Sequence, residues 1–310
     1  MTVVPTAAAP SPAPRAPLPF SRWRFAGFAA AGAVLALTLA ALSLRGLPLG
    51  LDFSGGVLVE ARAPAPWDAA ALRAALAASG LPEAAVQLAE GGRAALVRSQ
   101  DTGAEALRAV RAALGPGAEI LREDLVGPRV SGEMLRDGAL AAFGSVAAIA
   151  VYVWLRFEAK FGAAAFLTTL FDVIAMLGFF ALTGLSFDLT SIAALLAVAG
   201  YSINDTVVTF DRVRESLGRM PAASDAEVID RAVTDTLRRN LTTSATTLAA
   251  TTALMIFGGP VLFGMAAAVT FGVALGTLSS IFVAAPLLLH LPGRMPGRAP
   301  VAAPFGAEAP

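Results

Sequence analysis

Six apolar segments constrain this chain more than any other feature. A helix that crosses a bilayer needs about 20 apolar residues, at about 1.5 Å of rise per residue. Six runs approach or exceed this length, at residues 25–44, 138–155, 161–182, 187–210, 241–257 and 261–289. Apolar residues make up 56% of the chain and charged residues 15%, whereas soluble globular proteins are about 45–50% apolar. The sequence therefore predicts a polytopic α-helical membrane protein with six transmembrane helices.

The positions of the basic residues predict the orientation of these helices. If the N-terminus is cytoplasmic, the basic connections at residues 156–160 and 212–239 both lie inside. The outer connections at residues 183–186 and 258–260 then carry no Lys or Arg, as the positive-inside rule requires. Both termini are thus predicted to be cytoplasmic.

The same pattern divides the chain into five parts. Residues 1–21, rich in Pro and Ala, are predicted to be a disordered cytoplasmic tail. The first transmembrane helix, residues 22–44, has an apolar run longer than the about 7–15 residues of a signal peptide, so we expect it to remain uncleaved. An extracytoplasmic domain follows at residues 45–137, then helices 2–6 at residues 138–290 and a cytoplasmic tail at 291–310.

The extracytoplasmic domain is predicted to be a small α+β unit. Its apolar patterns alternate between strand and helix in the order βαββαβ, with a Gly91–Gly92 turn between the second and third strands. The predicted core faces of its two helices consist of Leu72, Leu76, Leu107, Val110 and Leu114. No catalytic or metal-binding pattern is visible in it, so the default interpretation is a binding or mechanical module, and fold alone does not decide between them.

Two aspartates lie inside predicted spans. A charged side chain at the bilayer centre costs at least about 2.5–3.5 kcal/mol, so such residues are candidate functional sites. Asp172 lies in the middle of the third span, and Asp205 lies seven residues before Arg212 in the fourth. The alternative is purely structural, with each carboxyl group satisfied by nearby backbone or hydroxyl groups.

The fifth span supplies candidate partners for these carboxyl groups. Arg238 and Arg239 precede a helix rich in Thr, and a buried arginine can pair with a carboxylate. Hydroxyl groups can hold a file of water or bond across helices. The alternative for the Thr run is ordinary interhelical bonding together with bonds to carbonyls of the preceding turn.

Small residues recur every four positions in the sixth span. They are Gly264, Ala268, Gly272, Gly276, Ser280 and Ala284. Such a ladder allows two helix backbones to approach closely. It predicts a tight interface within the bundle or with a partner subunit.

Composition excludes several kinds of chemistry. The net charge is zero, which gives no indication of a nucleic-acid partner. The chain has no cysteine, so thiolate nucleophiles and cysteine-based metal sites are excluded. The single histidine, His290, ends the last apolar run and is interpreted as an interfacial residue. We therefore expect no cofactor, no metal and no enzymatic activity.

Five stretches resemble the successive signatures of the SecF family. They are LDFSGGVLVE at 51–60, VGPRVSGEMLRDGAL at 126–140, RFEAKFG at 156–162, GYSINDTVVTFDRVRE at 200–215 and LRRNLTTSATT at 237–247. The resemblance covers residues 22–290 in order. Members of this family are six-span subunits of the resistance-nodulation-division superfamily. Together with SecD they assist protein export through the Sec translocon.

The resemblance implies roles for particular residues. Asp205 and Arg239 match the family's transmembrane aspartate and arginine tied to proton flow, and Asp172 matches the aspartate of its third span. The polar neighbours expected to support them are Asn204, Thr206, Thr243 and Thr247. The chain departs from the family where Phe171 replaces a common histidine and Asn240 a common threonine, which weakens any relay through those neighbours.

The resemblance also implies fold, location and partners. The outer domain would be ferredoxin-like and periplasmic, and the chain would be a multi-pass protein of the bacterial inner membrane. SecD, the SecYEG translocon, a translocating unfolded polypeptide and membrane lipid are the expected partners, with YajC as a further one. Proton passage at Asp205 would then drive a change in helix packing that moves the outer domain and hinders backsliding of the translocating chain.

Three other functions compete with export. An intramembrane aspartyl protease needs two aspartates that share a proton, but Asn204 stands where its signature has glycine, and an arginine partner would keep one carboxylate charged. A proton-coupled exporter of lipids or small molecules would need a larger outer portion than these roughly 90 residues. A purely structural subunit remains the third alternative.

Overall fold

The computed structural model describes residues 16–156, 158–293 and 295. The predicted tails therefore lie partly outside the described residues, at 1–15, 294 and 296–310. A 3₁₀ turn, Phe20–Trp23, leads into the first long helix, α1 (Arg24–Arg45), and a short helix, α2 (Leu51–Ser54), follows it. Leu18 and Ser21, which the sequence assigned to the tail, are hydrogen-bonded to a later helix.

A small domain with one four-stranded sheet follows α2. Its elements are β1 (Gly56–Arg62), α3 (Ala69–Ala78), β2 (Ala85–Ala89), β3 (Ala94–Ser99), α4 (Ala104–Leu114) and β4 (Glu119–Val126). The predicted βαββαβ order is confirmed. The strands lie in the order β2-β3-β1-β4 and every pair is antiparallel.

Period-two alternation builds the core of this sheet domain. Val57, Val59 and Ala61 in β1 are fully buried, because successive strand residues point to opposite faces. The faces of α3 and α4 that pack on them include all five predicted core residues: Leu72, Leu76, Val110 and Leu114 are buried, and Leu107 is partly buried.

Beyond the sheet domain, the described residues form five long helices and a short one. They are α5 (Pro128–Arg156), α6 (Ala159–Thr183), α7 (Leu189–Arg219), α8 (Asp225–Phe257), α9 (Gly259–Ser279) and α10 (Ala285–Leu287), with a π turn at Ser280–Ala284 between the last two. Helix α5 begins at Pro128, ahead of the predicted start of the second span at Gly138. Ser224 and Glu227 form a capping box at the start of α8.

In the described part of the chain, five helical segments are long and apolar enough to cross a membrane. They are Phe20–Arg45, Pro128–Arg156, Ala159–Thr183, Leu189–Arg219 and Leu262–Leu287. The predicted fold class, a helical membrane protein with a small α+β domain, is confirmed. The predicted fifth span forms the C-terminal half of α8 and is not among the five, because seven hydroxyl side chains lower its hydropathy.

The bundle has two distinct ends. At one end, the chain after α1 meets the connection between α6 and α7, where Leu49 and Phe187 form a parallel β-bridge. The sheet domain lies at this end. At the other end, the backbone N–H and the hydroxyl of Ser21 donate to the carboxylate of Asp230 in α8. The two segments predicted to lie outside the membrane, residues 45–137 and 183–186, thus share one end of the bundle.

Helix α9 packs closely against α6 and α7. A Cβ atom at Gly272 would lie 2.6 Å from both methyl groups of Val198, and one at Gly276 would lie 3.1 Å from Cβ of Ser202. The contact at Gly272 leaves no room for a Cβ atom unless its neighbours shift, and the contact at Gly276 leaves little room. The close packing predicted from the small-residue ladder is confirmed at these two positions, within the bundle, whereas a Cβ at Gly264 would have nothing within 4 Å.

Candidate functional site

Polar side chains are buried together in the middle of the helix bundle, where α6, α7, α8 and the end of α9 meet. We call this group the polar cluster. Its members are Asp172, Ser202, Asp205, Thr206, Thr209, Thr236, Asn240, Ser244, Thr277, Ser279 and Ser280, all less than 9% exposed. Direct bonds join its four helices, for example between the hydroxyls of Ser244 and Thr277 at 2.6 Å.

Asp172 is the most enclosed carboxyl group of the cluster. It is 0% exposed, and its Oδ2 accepts hydrogen bonds from the hydroxyls of Ser202 on α7 and Ser279 at the end of α9, the latter at 3.0 Å. Its Oδ1 is buried without a partner among the described residues. One carboxyl group therefore joins three helices.

Asp205 faces α8. Hydrogen bonds from Tyr201 to Ser244 and from Asn240 to Thr209 fix the antiparallel register of α7 and α8, and this register places Asn240 opposite Asp205. Asp205 is 2% exposed. Its Oδ2 and the Oδ1 of Asn240 are both buried without a partner in the described part of the chain. Two polar groups with unused hydrogen-bonding capacity thus lie on the facing sides of α7 and α8.

Arg239 precedes Asn240 but lies on the exposed side of α8. It is close enough to Asp205 to act on it electrostatically. Across residues 16–156, 158–293 and 295, however, no arginine nitrogen forms an ion pair with Asp205 within 4 Å. The arginine seven residues after Asp205, Arg212, pairs instead with Asp235 at 2.5 Å.

The structure brings together some of the predicted site residues and separates others. Thr206 belongs to the polar cluster and lies 3.0 Å from the hydroxyl of Ser280. Asn204 and Thr243 are exposed. Thr243 and the half-buried Thr247 bond to carbonyls of their own helix, which is the alternative interpretation of the Thr run. Asp172, Asp205 and Thr206 are therefore in the cluster, whereas Asn204, Arg239, Thr243 and Thr247 lie outside it.

Sequence reasoning missed several members of the cluster. The clearest are Ser202, Thr209, Ser279 and Ser280. A signal for two of them was present, since Ser202, Asp205 and Thr209 recur at three- and four-residue spacing and so share one face of α7. Ser280 had been noted only as a small residue of the packing ladder.

A π turn adjoins the cluster. It spans Ser280–Ala284, directly after Ser279. Such turns occur mostly as single insertions in α-helices and are frequent at functional sites. Here Ser279 bonds to Asp172, and Ser280 contacts Thr206. Two consecutive hydroxyls thus reach two different helices at the point where α9 changes its winding.

The arrangement suits the movement of a proton more than bond chemistry. Each hydroxyl group can donate and accept a hydrogen bond at once. Burial in a low dielectric favours the neutral form of a carboxyl group, whereas a nearby guanidinium favours the anion. Two buried carboxyl groups among hydroxyls, with an arginine at the edge, can therefore change charge when the helices rearrange.

Comparison with known proteins identifies the family. Residues 106–294 match the sequence model of the protein export membrane protein SecD/SecF, C-terminal region, and residues 40–63 match the SecD/SecF GG motif. The chain belongs to the SecD/SecF family. The resemblance seen in the five sequence stretches is thereby confirmed.

Individual relatives agree with this assignment. The chain is 39% identical over 260 residues to protein translocase subunit SecF of Desulfurispirillum indicum, covering 79% of this chain and 82% of that one. It is 41% identical over 261 residues to the SecF subunit of Cereibacter sphaeroides, covering 79% and 81%. SecF-family members of similar length thus align with most of this chain.

A solved structure shows the same fold. The crystal structure of SecDF from Thermus thermophilus, a translocon-associated membrane protein, superposes with a TM-score of 0.83 and 32% identity over 91% of this chain. The chain spans 39% of that SecDF chain. It therefore corresponds to about two fifths of that protein.

Proposed function

We propose that this chain is a SecF-type subunit of the Sec protein-export machinery, which uses the proton gradient to assist the translocation of polypeptides. Alignment with SecF subunits over most of the chain supports the role in export. The observation that carries the coupling to protons is Asp205, a carboxyl group 2% exposed within the helix bundle and with one oxygen unpartnered among the described residues. Placing an ionisable group there costs free energy, so we expect the group to have a function.

Asp205 would act by alternating between its neutral and charged forms. The neutral acid is compatible with the arrangement seen here, in which Arg239 forms no close ion pair with it. Loss of the proton would leave a charge in a low dielectric, and closer approach of Arg239 would then stabilise that charge. A proton gradient that loads and unloads the acid would thus shift the packing of α7 against α8.

Asp172 and the hydroxyls around it would extend this proton path. Ser202 and Ser279 hold Asp172, and Ser280 lies between Ser202 and Thr206, which is the neighbour of Asp205 in the chain. A change of charge at either aspartate would therefore alter the hydrogen bonds that join α6, α7 and α9. No metal or cofactor is required for this role.

Exposed polar residues on α7 and α8 favour a protein partner for this face within the membrane. Asn204, Arg239 and Thr243 point away from the bundle, and facing lipid would be costly for the amide and above all for the guanidinium. We propose that helices of SecD cover this face. SecYEG, YajC and an unfolded polypeptide in transit are the further proposed partners, and lipid surrounds the remaining faces.

The proposed location is the bacterial inner membrane, with both termini in the cytoplasm. The orientation rests on the positive-inside rule. The end of the bundle that carries the sheet domain would then face the periplasm, where the domain can engage emerging polypeptide.

The decisive experiment is Asp205→Asn in inverted membrane vesicles, with export of a preprotein measured in the presence and absence of a proton gradient. Asn is nearly isosteric and cannot ionise, so we expect the protein to assemble and the stimulation by the gradient to fall to the level of vesicles without the chain. Asp225→Asn at the start of α8, outside the polar cluster, should keep normal stimulation. Normal stimulation with Asp205→Asn would refute the proposed coupling.

A further inference from the structure

Residues 50–56, the glycine-rich part of the matched GG motif, have no role in the mechanism above. We call these residues the GG segment. It joins α1 to the first strand of the sheet domain and contains α2. Its side chains and backbone contact both the start of α7 and the sheet domain, so the segment lies where these two parts of the molecule meet.

Asp52 of the GG segment caps α7. The first turn of a helix has backbone N–H groups with no partner inside the helix. Asp188 satisfies one of them in the usual way, by accepting from the N–H of Ser191 at 2.8 Å. The N–H of Leu189 donates instead to Oδ2 of Asp52 at 3.0 Å, and Asp52 lies 137 positions earlier in the chain. Both carboxylates also lie at the positive end of the helix dipole.

Backbone hydrogen bonds reinforce this contact. The N–H of Gly50 donates to the carbonyl of Phe187 at 2.6 Å, and the N–H of Phe187 donates to the carbonyl of Pro48 at 2.7 Å. A Cβ atom at Gly50 would lie 2.7 Å from Cβ of Asp188, closer than packed side chains allow. The ring of Phe53 lies 6.0 Å from that of Phe187. The entry of the GG segment is thus held against the start of α7.

The exit of the GG segment is held against the sheet. Gly55 and Gly56 have φ angles of +72° and +121°, in the region that favours glycine. A Cβ atom at Gly56 would lie 2.0 Å from the carbonyl oxygen of Ser99 in β3, and one at Gly55 would lie 3.2 Å from that of Val126 in β4. Both glycines therefore allow the chain to enter β1 close to the backbones of β3 and β4, its two neighbours in the sheet.

Charge adds a longer-range attraction between the two parts. Arg98 in β3 is half-buried and interacts electrostatically with Asp188, the residue that caps α7. A cavity of about 130 Å³ lies between the open face of the sheet and the start of α7, and Asp52, Arg98 and Asp188 are among its lining residues. The interface thus has ionic groups as well as backbone bonds.

We propose that the GG segment is a mechanical link that fixes the sheet domain to the N-terminal end of α7, so that movement of α7 moves the domain. The proposal rests on the proposed function, because Asp205 lies on the same helix. It follows Leu189 by 16 residues, or about 24 Å of helix. A continuous helix carries a displacement over that distance, whereas a flexible loop at its end would dissipate it. Asp52 and Gly50 are thus positioning residues.

The first test measures the link itself. Because the chain has no cysteine, spin labels can be placed at Ala77→Cys on α3 and Thr183→Cys at the end of α6 in the full-length protein. We expect a narrow distance distribution in the parent and a distribution at least twice as wide with Asp52→Ala. Asp52→Asn keeps an acceptor oxygen for Leu189 and should restore the narrow distribution.

A matched control separates the link from helix capping in general. Asp68, an exposed residue of the sheet domain, caps α3 by accepting from the N–H of Ala70 at 3.2 Å. Asp68→Ala removes the same kind of bond within the sheet domain alone, so the distance distribution should stay narrow. If Asp52→Ala also leaves it narrow, the link does not exist as proposed.

The second test asks whether the link transmits movement. Asp52→Ala and Gly50→Ala should reduce gradient-stimulated export at least fivefold, whereas Asp52→Asn and Asp68→Ala should keep it. Should Gly50→Ala fail to assemble, Asp52→Ala alone decides. Wide distances with normal export in Asp52→Ala would overturn the inference and leave the proposed function intact. Asp205→Asn distinguishes the two, since it should abolish stimulation while the distance distribution stays narrow; normal export with Asp205→Asn would overturn both.

Discussion

Helix α9 provides a test of close packing in the bundle, through Gly272→Ala. The new methyl group would lie 2.6 Å from two methyl carbons of Val198 and 3.0 Å from the sulfur of Met176. Overpacking of this kind costs about 1–3 kcal/mol, and the replacement of a helical glycine by alanine returns about 0.5–1 kcal/mol. The difference between these ranges is about 0–2.5 kcal/mol, so we expect the free energy of unfolding to fall by up to about 2.5 kcal/mol.

Two further variants make this prediction specific. Val198→Ala removes the two methyl groups that Gly272→Ala would meet, so in that background the second substitution should be neutral or stabilising. The coupling between the two sites should then be about 1–3 kcal/mol, well above the roughly 0.3–0.5 kcal/mol within which independent substitutions add. Gly264→Ala, at an earlier position of the same ladder with nothing within 4 Å, serves as the control and should not destabilise.

The assay is unfolding of the purified proteins in mixed micelles, with increasing denaturing detergent and a helicity signal. All four proteins of the cycle and the control are measured under one condition. Equal effects of Gly264→Ala and Gly272→Ala, or strict additivity with Val198→Ala, would refute the packing argument.

Three other predictions concern orientation, acid stability and the arginine. Cysteine at Ala77 should react with an impermeant maleimide from outside intact cells and cysteine at Ala222 should not; labelling of Ala222 would reverse the proposed topology. Two hydrogen bonds from Arg111 hold the pKa of Glu123 below its ordinary value, so this pair stabilises the sheet domain at neutral pH and the contribution is lost as the pH falls through the lowered pKa. In the Glu123→Gln variant, the melting temperature should therefore fall less steeply as the pH is lowered. An unchanged pH dependence would contradict this. Arg239→Gln should leave the unfolding free energy of the isolated chain nearly unchanged, since Arg239 is exposed and has no ion pair within 4 Å among the described residues, but should abolish gradient-stimulated export; retained export would exclude its role in coupling.

The sheet domain was predictable because its sequence signals are local. Alternation in β1 and the three- and four-residue spacing of Leu72 and Leu76 each specify one buried face. The turn before β3 has positive φ angles at Gly91 and Gly92, and two adjacent glycines in the sequence predict such a turn. Order and core therefore follow from the sequence without knowledge of the tertiary structure.

The polar cluster was predictable only in part, because burial of a polar side chain depends on which helix faces it. Asp172 and Asp205 stood out, since charge within an apolar run is costly wherever it lies. The hydroxyls of Thr243 and Ser244 are adjacent in sequence, yet one is exposed and the other is buried against Thr277. The register of α7 against α8 decides this, and no single segment contains that information.

Arg239 illustrates the same limit. Its position directly before the predicted fifth span made it a candidate partner of Asp205. Its side chain, however, lies on the exposed face of α8, and Asn240 takes the inward position. One step along a helix rotates a side chain by about 100°, which is enough to move it from one face to the next.

The hydroxyl-rich half of α8 has a consequence for the synthesis of the protein. Residues 241–257 form a shorter and more polar segment than the five apolar spans. On its own, this segment therefore has little tendency to move from the translocation channel into lipid. In the finished bundle it is paired with α7 and α9 by Tyr201–Ser244 and Ser244–Thr277 hydrogen bonds. We therefore expect this segment to integrate only together with its neighbours. A ribosome stalled between α8 and α9 should leave part of the nascent α8 accessible to water.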